Sequence, residues 1–461
     1  MNSETKNNSI LQKLATEVND LSFQDLSEDV VNKAKKLIIY TIGCAFGAIN
    51  SEVSQIVLEY VLSRGGKPQS TLIGTSLKTT PELACLYNGT LIRCLDSNDY
   101  YFSVDPAHPS GNLAPIWAAG QMQNKSGPEV ILSLVIAYEI QMRLCDSAGN
   151  PSLWKRGWHH STNASFSSSA AVAKLIGCSA LEIAHAMAIT GSHQNTLAQL
   201  QSGNVSLMKA TSEAWVAKSG LEGASLAKLG LTGPLNLIEG DFGWSKSVCG
   251  KVNYESLLNK SQPFKLLESN TKPFPAVASA IAPIACAIHL FEKNLSYENI
   301  YLINIFLPKF VLDTPATGEN RRYPNNSEMA QHSLYYCVAA SLVRGFCNET
   351  IFSKSNLYDP QILEVIKKIR LVEDSSLSQL WPLSAGGGIE ILFQNREKLS
   401  HKMEYPLGHS KNSVSKEQQY KKFFDYTFPV LGKNKTIELY DSLDSLDSCT
   451  DINSLSALLS P

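Results

Sequence analysis

Closely spaced acids and an imidazole mark the part of this chain with the most chemistry in it. The run Leu95-Asp96-Ser97-Asn98-Asp99-Tyr100-Tyr101 leads through Asp105 to Ala107-His108-Pro109-Ser110-Gly111-Asn112. Carboxylates and imidazoles are the usual proton donors and acceptors near neutral pH, and Pro106, Pro109 and Gly111 bend the backbone that carries them. The same residue types also build capped surface turns, because Asp, Asn and Ser bond their own backbone. The setting separates the two readings. Segments 82–94 and 113–122 on either side are small, apolar and helix-like, and a polar cluster between apolar helices is either solvated or lines a cavity, since an unpaired buried charge is costly.

Further candidates lie downstream. Gly157-Trp158-His159-His160-Ser161-Thr162 is a second polar island, in which one histidine at least is expected to point inward. Lys209 stands where the polar loop 201–204 meets an Ala-rich helical segment, a seam at which a cation can hold a substrate carboxylate; Lys218 and Lys228 read as solvated. Lys272, in Lys272-Pro273-Phe274-Pro275-Ala276, is open between that role and a plain linker lysine. His193 lies in a loop-like break and is a candidate cavity residue, whereas His332 reads as a core histidine on a helix with apolar neighbours.

No G-x-x-x-x-G-K-[ST] loop, no G-x-G-x-x-G turn and no G-x-S-x-G elbow is present, so no nucleotide cofactor is indicated. The ten cysteines include no C-x-x-C pair and no Cys/His cluster, so reduced thiols and no structural metal are expected. Carboxylates, imidazoles and lysines without a cofactor suit a small polycarboxylate substrate. Cations neutralise its charges, an imidazole or carboxylate moves a proton, and the hard intermediate is a carbanion next to a carboxylate. Dehydration, decarboxylation and epimerisation all pass through such a species.

The elements that must position these groups are mostly helices. Ser27 is a plausible N-cap for a helix from Glu28, with Val31, Ala34, Ile38 and Ile42 at helical spacing and Lys33, Lys35 and Lys36 outward. Residues 128–147 read as an interior helix, 165–189 as two closely packed Ala/Ser-rich helices with a Ser179/Glu182 capping box, and 210–229 as another. Apart from a short extended piece at 70–74, no strand pattern competes before residue 260. Residues 299–308 are the best strand, 369–372 and 388–393 are further ones, and 279–293 and 329–344 read as helices. The expected architecture is mainly α, with a helical domain over 1–265, an α+β lid over 266–403 and a C-terminal helical segment, 404–461, returning to the helical domain. Its helical pieces are expected at 418–425 and 454–459. With 40 basic and 42 acidic residues in 461 and a formal charge of -2, the chain has no electrostatic footprint for nucleic acid or a membrane surface. The polar start 1–9 has no apolar signal core and no apolar stretch is long enough to span a bilayer, so a cytoplasmic location is expected.

The central run resembles the signature of the MmgE/PrpD family, which includes 2-methylcitrate dehydratases, cis-aconitate decarboxylases and iminodisuccinate epimerases. The resemblance extends through G-W-H at 157–159, M-K-A at 208–210, G-L-x-x-A-x-L-A-x-x-G-L-T-G-P at 220–234 and I-E-G-x-F-G-W at 238–244. It continues with K-P-F-P-A at 272–276, A-Q-H-S-L-x-Y at 330–336 and P-L-G-H-x-x-N at 406–412. It implies a helical domain with a smaller α+β lid, a homodimer, and a site between domain and lid. The matching positions are Asp96, Asp99, His108, His159, Lys209 and Lys272. The resemblance implies proton transfer by His108 and His159, carboxylate binding by Lys209 and Lys272 with Asp99 beside the substrate, and orientation of His108 or a substrate hydroxyl by Asp96. Two positions depart: 277–280 (Val-Ala-Ser-Ala) lack a histidine that many members carry, and Tyr323 stands in place of a tyrosine expected near Gly318. Both departures weaken a decarboxylase assignment; the segment 323–333 resembles the dehydratase-like branch more closely, whereas H-P-S-G also occurs in decarboxylases, and the resemblance leans towards a dehydratase-type hydro-lyase on a citrate-like acid. Itaconate formation from cis-aconitate, an epimerase-like isomerisation, and an inactive scaffold or carboxylate-binding protein are the alternatives.

Overall fold

The computed structural model describes residues 8–202, 205–260 and 264–461; the polar stretch 1–7 and positions 203 and 204 of the 201–204 loop lie outside them. The protein is 60% helical, with small sheets only. The first hydrophobic cluster runs from Ile10 to Leu266 and resumes from Phe423 to Leu459, so the chain's end returns to the body formed by its beginning. A second cluster runs from Ala276 to Ile391.

The body contains α1 (Ile10–Asp20), α2 (Glu28–Gly47), α3 (Glu52–Arg64), α4 (Pro81–Cys94), α5 (Leu113–Met122), α6 (Gly127–Ser147), α7 (Ala164–Leu175), α8 (Ala180–His193) and α9 (Met208–Lys228). Their starts follow local chemistry. Thr80 accepts from the Leu83 amide with Pro81 in the first turn of α4, and Ser126/Glu129 and Ser179/Glu182 close capping boxes on α6 and α8. Ser27 stands at the N-cap of α2, but its hydroxyl makes no capping bond. Nor are the lysines of α2 all outward: Lys33 donates to the Ser269 carbonyl at 2.8 Å and Lys35 pairs with Asp447 at 2.8 Å.

Small residues let α9 sit unusually close to its neighbours. A Cβ on Gly220 would lie 2.0 Å from Ser168 Oγ of α7, and one on Gly89 of α4 would lie 3.1 Å from Ala214 Cα of α9. That second approach fixes Arg93, one turn beyond Gly89, against Glu213, the neighbour of Ala214. Helix α6 is buried nearly all round, with Val130, Ile131, Leu134, Val135 and Met142 in the core, each apolar side chain contributing about 1.5–3 kcal/mol. Among its polar contacts with the central loop, Gln141 accepts from Asn112 at 2.7 Å and anchors the Pro109–Asn112 turn.

Two ladders matter for the site. β1 (Asp99–Tyr100) pairs antiparallel with β2 (Asn270–Thr271), matching Asp99 to Thr271, so Lys272 follows directly from a strand bonded to the central loop. The second unit carries a sheet of β3 (Ile300–Leu307), β4 (Ile369–Glu373), β5 (Gly387–Phe393) and β6 (Lys398–Met403) in the order β4-β3-β5-β6, parallel only between β3 and β4. The alternating polar sequence of β6 concealed it as a strand, because one face of this edge is solvated. Helix α10 (Ile281–Phe291) covers the sheet, and α11 (Leu334–Arg344) packs against α10. The single helix expected over 329–344 is broken: Ser327–Gln331 ends at His332, and Ser333 caps α11 through the Tyr336 amide. The tail is longer than expected, Lys416–Asp444, bent at Gly432 with φ +71 and containing Pro429; the piece expected at 454–459 is only a 3-10 turn, Ile452–Leu455. Among the described residues no single helix is long and apolar enough to cross a membrane, although the bent pair Glu28–Gly47 and Glu52–Arg64 has that composition. All ten cysteines are free.

Candidate active site

Helix α4 stops at Cys94, and Asp96 takes a left-handed conformation with φ +48. Asp adopts that region more readily than most residues, and here it turns the carboxylate back among charges from four segments. Lys272 Nζ lies 3.0 Å from Asp96 Oδ1 and also donates to the Asp96 carbonyl at 3.0 Å. Lys209 Nζ and Arg93 Nη1 each lie 3.5 Å from Oδ1, and His332 Nε2 lies 3.4 Å from Oδ2. The carboxylate is 3% exposed, so its charge is viable only because of these neighbours. Burial opposes its ionisation, but Lys209, Lys272, His332 and Arg93 outweigh that and hold it well below the usual carboxylate range. Burial in turn pushes the Lys272 ammonium down to about 8 against the pull of Asp96. Lys209 Nζ has no hydrogen-bond partner among the described residues, leaving an ammonium's donors unfilled in a buried place.

Asp99 is held differently. Tyr138 donates to Oδ2 at 2.6 Å and the Ser110 amide to Oδ1 at 3.2 Å, so both oxygens are occupied by the protein. Asp99, expected beside the substrate, braces the loop of His108 through these contacts and its carbonyl. Asp105 sits apart, accepting from the Leu153 amide at 3.0 Å.

The imidazoles have their tautomers set by backbone partners. His108 Nδ1 lies 2.7 Å from the Asp99 carbonyl, which only accepts, so Nδ1 carries the hydrogen and Nε2 a lone pair. Burial, then Arg93 and Lys272, keep this imidazole neutral, well below its ordinary value. His159 is the reverse case: the Ser161 amide donates to Nδ1 at 3.3 Å, so in the neutral ring Nε2 carries the hydrogen. Burial, Arg93 and Lys209 push it down to about 3. Both adjacent histidines are inside. The His160 ring lies tilted by 37° against His159 with centroids 3.9 Å apart and meets His108 edge-on at 5.0 Å.

The geometry adds residues that the reading of the sequence missed. Arg93, on the last turn of α4, places Nε 2.7 Å from Glu213 Oε2, and Glu213 Oε1 lies 3.6 Å from His160 Nδ1. Charged residues on helices otherwise built of apolar and small side chains were the available signal, since such groups require partners once buried. His332 belongs to the cluster and is not an isolated core histidine; the break between Gln331 and α11 delivers it. His193 is exposed at the end of α8 and lines nothing. Val277 borders the cluster through its amide, which donates to the Gln331 carbonyl at 2.9 Å, and Tyr323 is 50% exposed, so it does not stand in for a missing site tyrosine.

The MmgE/PrpD N-terminal domain matches residues 12–257 and the MmgE/PrpD C-terminal domain matches residues 274–445. The chain belongs to the MmgE/PrpD family. Curated relatives include cis-aconitate decarboxylase of Homo sapiens, 26% identical with 97% of this chain and 94% of that protein covered. The cis-aconitate decarboxylase of Aspergillus terreus is 24% identical, covering 95% and 94%. The 2-methylcitrate dehydratase of Salmonella typhimurium (strain LT2) is 22% identical, covering 85% and 84%. Against this MmgE/PrpD background the Asp96 cluster draws on both matched domains: Arg93, Asp96, His108, His159 and Lys209 lie in the first match, and His332 in the second, with Lys272 in the connection between them.

Proposed function

We propose that this protein is a cofactor-independent lyase for a small citrate-like polycarboxylate, acting as a 2-methylcitrate dehydratase-type hydro-lyase, with residues 266–403 as the lid unit. The observation that carries the reading is the pair of opposed tautomers: His108 presents a lone pair at Nε2 and His159 a hydrogen at Nε2. Dehydration needs both functions, a base for the proton next to the carboxylate and an acid for the departing hydroxide, whereas decarboxylation needs only a donor to the carbanion.

His108 Nε2 takes the proton. Lys209, with unfilled donors, and Lys272 bind carboxylates and offset the charge that develops on them, and Asp96 keeps the two ammonium groups together. His159 Nε2–H protonates the leaving oxygen. A positioned acid or base contributes about 10²–10⁴-fold, and a preorganised charge or donor about 10²–10³-fold. The second reading, a cis-aconitate decarboxylase, is favoured by the identities of 24–26% to such enzymes over 95–98% of this chain. A homodimer is part of the proposal, in keeping with apolar surface such as Leu229 and Phe242, 85% and 97% exposed; light scattering tests it.

Proton NMR of the protein incubated separately with 2-methylcitrate, citrate, cis-aconitate and iminodisuccinate, with a His108→Ala control, tests the activity. An alkene formed from a hydroxy acid and lost in the control supports the hydro-lyase. Itaconate from cis-aconitate overturns it in favour of the decarboxylase, and four unchanged spectra count against both.

A further inference from the structure

Glu213, like its partner Arg93, is a charged residue of the cluster with no part in the mechanism above. It is 2% exposed on α9, one turn after Lys209, and its two oxygens face different partners. Oε2 lies 2.7 Å from Arg93 Nε, and Oε1 lies 3.6 Å from His160 Nδ1, a separation that closing by a few tenths of an ångström turns into a hydrogen bond. Catalytic hydrogen bonds are often this long before substrate arrives. Room for the carboxylate comes from Gly111 in the central loop: a Cβ there would lie 2.8 Å from Oε2. The charged groups around Glu213 are Arg93 on α4, Asp96 and Asp99 on the loop, Lys209 on its own helix and the His160 ring before α7.

We propose that Glu213 is a positioning residue that sets the tautomer of the neutral His160 ring through Nδ1 and, with the carboxylate charge that accompanies the switch, sets the strength of His108 as a base. With the proton on Glu213, the acid O–H donates to the Nδ1 lone pair and the ring's hydrogen is on Nε2. When Glu213 gives its proton to solvent, the carboxylate accepts from Nδ1 and the ring's one hydrogen passes from Nε2 to Nδ1, so the ring stays neutral and the site gains one negative charge. That charge, reaching His108 through the edge-on ring, strengthens the base; a neutral Glu213 leaves it weaker. The environments support the switch: burial, His159, His108, Arg93 and Lys209 hold the His160 ring neutral, well below its ordinary value. Burial, with Asp99 and Asp96 against Arg93 and Lys209, pushes the Glu213 carboxyl up to about 7, while Asp96 stays ionised. Two carboxylates driven apart in this way take different roles in acid–base sites.

The inference rests on the proposed lyase reading only for its kinetic consequence, so the test has two arms. In the first, ¹⁵N-histidine NMR of the substrate-free protein follows His160, assigned with His160→Gln, from pH 5 to 9. Once Glu213 loses its proton, its oxygen accepts, and His160 Nδ1 changes from unprotonated to protonated as pH rises through about 7. This is opposite to a simple imidazole titration. Glu213→Gln abolishes the change, while Arg93 keeps Asp96 and Asn98 as partners. A His160 signal that is pH-invariant in the native protein, or unaltered by Glu213→Gln, overturns the proposal, and the native measurement decides even if the variant fails to fold. In the second arm, Glu213→Gln lowers kcat about tenfold, moves its limb near pH 7 and changes KM less than twofold. Unaltered kcat and pH profile overturn the proposal; absent turnover in the native protein refutes the lyase reading and leaves the NMR arm decisive.

Discussion

Asp96→Asn removes the charge around which the site is assembled and leaves the shape nearly unchanged. Lys272 gives the best-defined part of its effect. Its ammonium is pushed by burial down to about 8, and Asp96 is the attraction that keeps it from falling further. At pH 7 the native protein therefore keeps Lys272 charged with about one pH unit in hand. With asparagine at 96, the folded protein sheds that proton, and the difference at pH 7 is that one unit, about 1.4 kcal/mol.

The pH dependence follows from the direction of the shift. The folded value lies below the unfolded value of about 10.4, so between 8 and 10.4 the unfolded chain binds more protons and stability rises with pH. Below pH 8 the lysine's penalty is fully present. The native protein, however, limits it by holding the proton, which the variant does not do. By pH 9 Lys272 is largely neutral in both, and this part of the gap closes. The rest does not: removing one partner of a buried pair costs about 3–5 kcal/mol, although Arg93 retains Glu213. Urea denaturation at pH 7 and pH 9 should show the variant less stable by about 3–5 kcal/mol at pH 7 and by about 1.4 kcal/mol less than that at pH 9. A gap of the same size at both values, or one that widens at pH 9, refutes the account of Lys272.

His108→Gln should lower kcat about 10²–10⁴-fold and leave the thermal midpoint near that of the native protein, as measured by turnover and circular dichroism melts. Lys209→Met should raise KM roughly 10–100-fold, the size of one charge-assisted hydrogen bond of about 1.5–3 kcal/mol, with a smaller effect on kcat. Gly220→Ala puts a Cβ 2.0 Å from Ser168 Oγ and 3.0 Å from the Ser169 amide, so it should destabilise by about 1–3 kcal/mol in the same denaturation assay.

What could be read in the residues depended on whether the cause was local. The Ser179/Glu182 cap, the interior helix at 127–147 and the strand at 300–307 follow from short-range pattern, and all three are present. The loop 95–112 stood out because its polar types are confined between apolar helices. Arg93 and Glu213 were passed over because each looks like an ordinary helix charge until Gly89 and Ala214 bring α4 and α9 together. That approach joins positions far apart in the chain, and no local pattern encodes it. β6 escaped notice because its polar alternation is that of a solvated edge, and Lys33 looked outward because the Ser269 carbonyl that receives it is distant in sequence.

The break at His332 shows how the second unit completes the site. Had the helix from Ser327 run on through Ser333, its backbone bonds would have fixed His332 within a regular turn. Ser333 instead accepts from the Tyr336 amide at 3.1 Å to start α11 and donates to the Arg321 carbonyl at 2.6 Å. With Ser333 so used, His332 Nδ1 lies 2.8 Å from the Glu328 carbonyl, which makes it the donor and leaves Nε2 directed at Asp96 Oδ2. Neighbouring ties act in the same sense: Arg321 donates to the Gln201 carbonyl at 3.0 Å and Val277 to the Gln331 carbonyl at 2.9 Å. The Asp96 carboxylate is thus paired with Lys209 of the body and Lys272 of the connection, and the His332 ring of the second unit lies 3.4 Å from its other oxygen. Any movement that separates the two units takes His332 away from Asp96 while Lys272 stays, tethered by the β1–β2 ladder. Such a separation would therefore alter one side of the carboxylate and preserve the other, keeping the lysines paired.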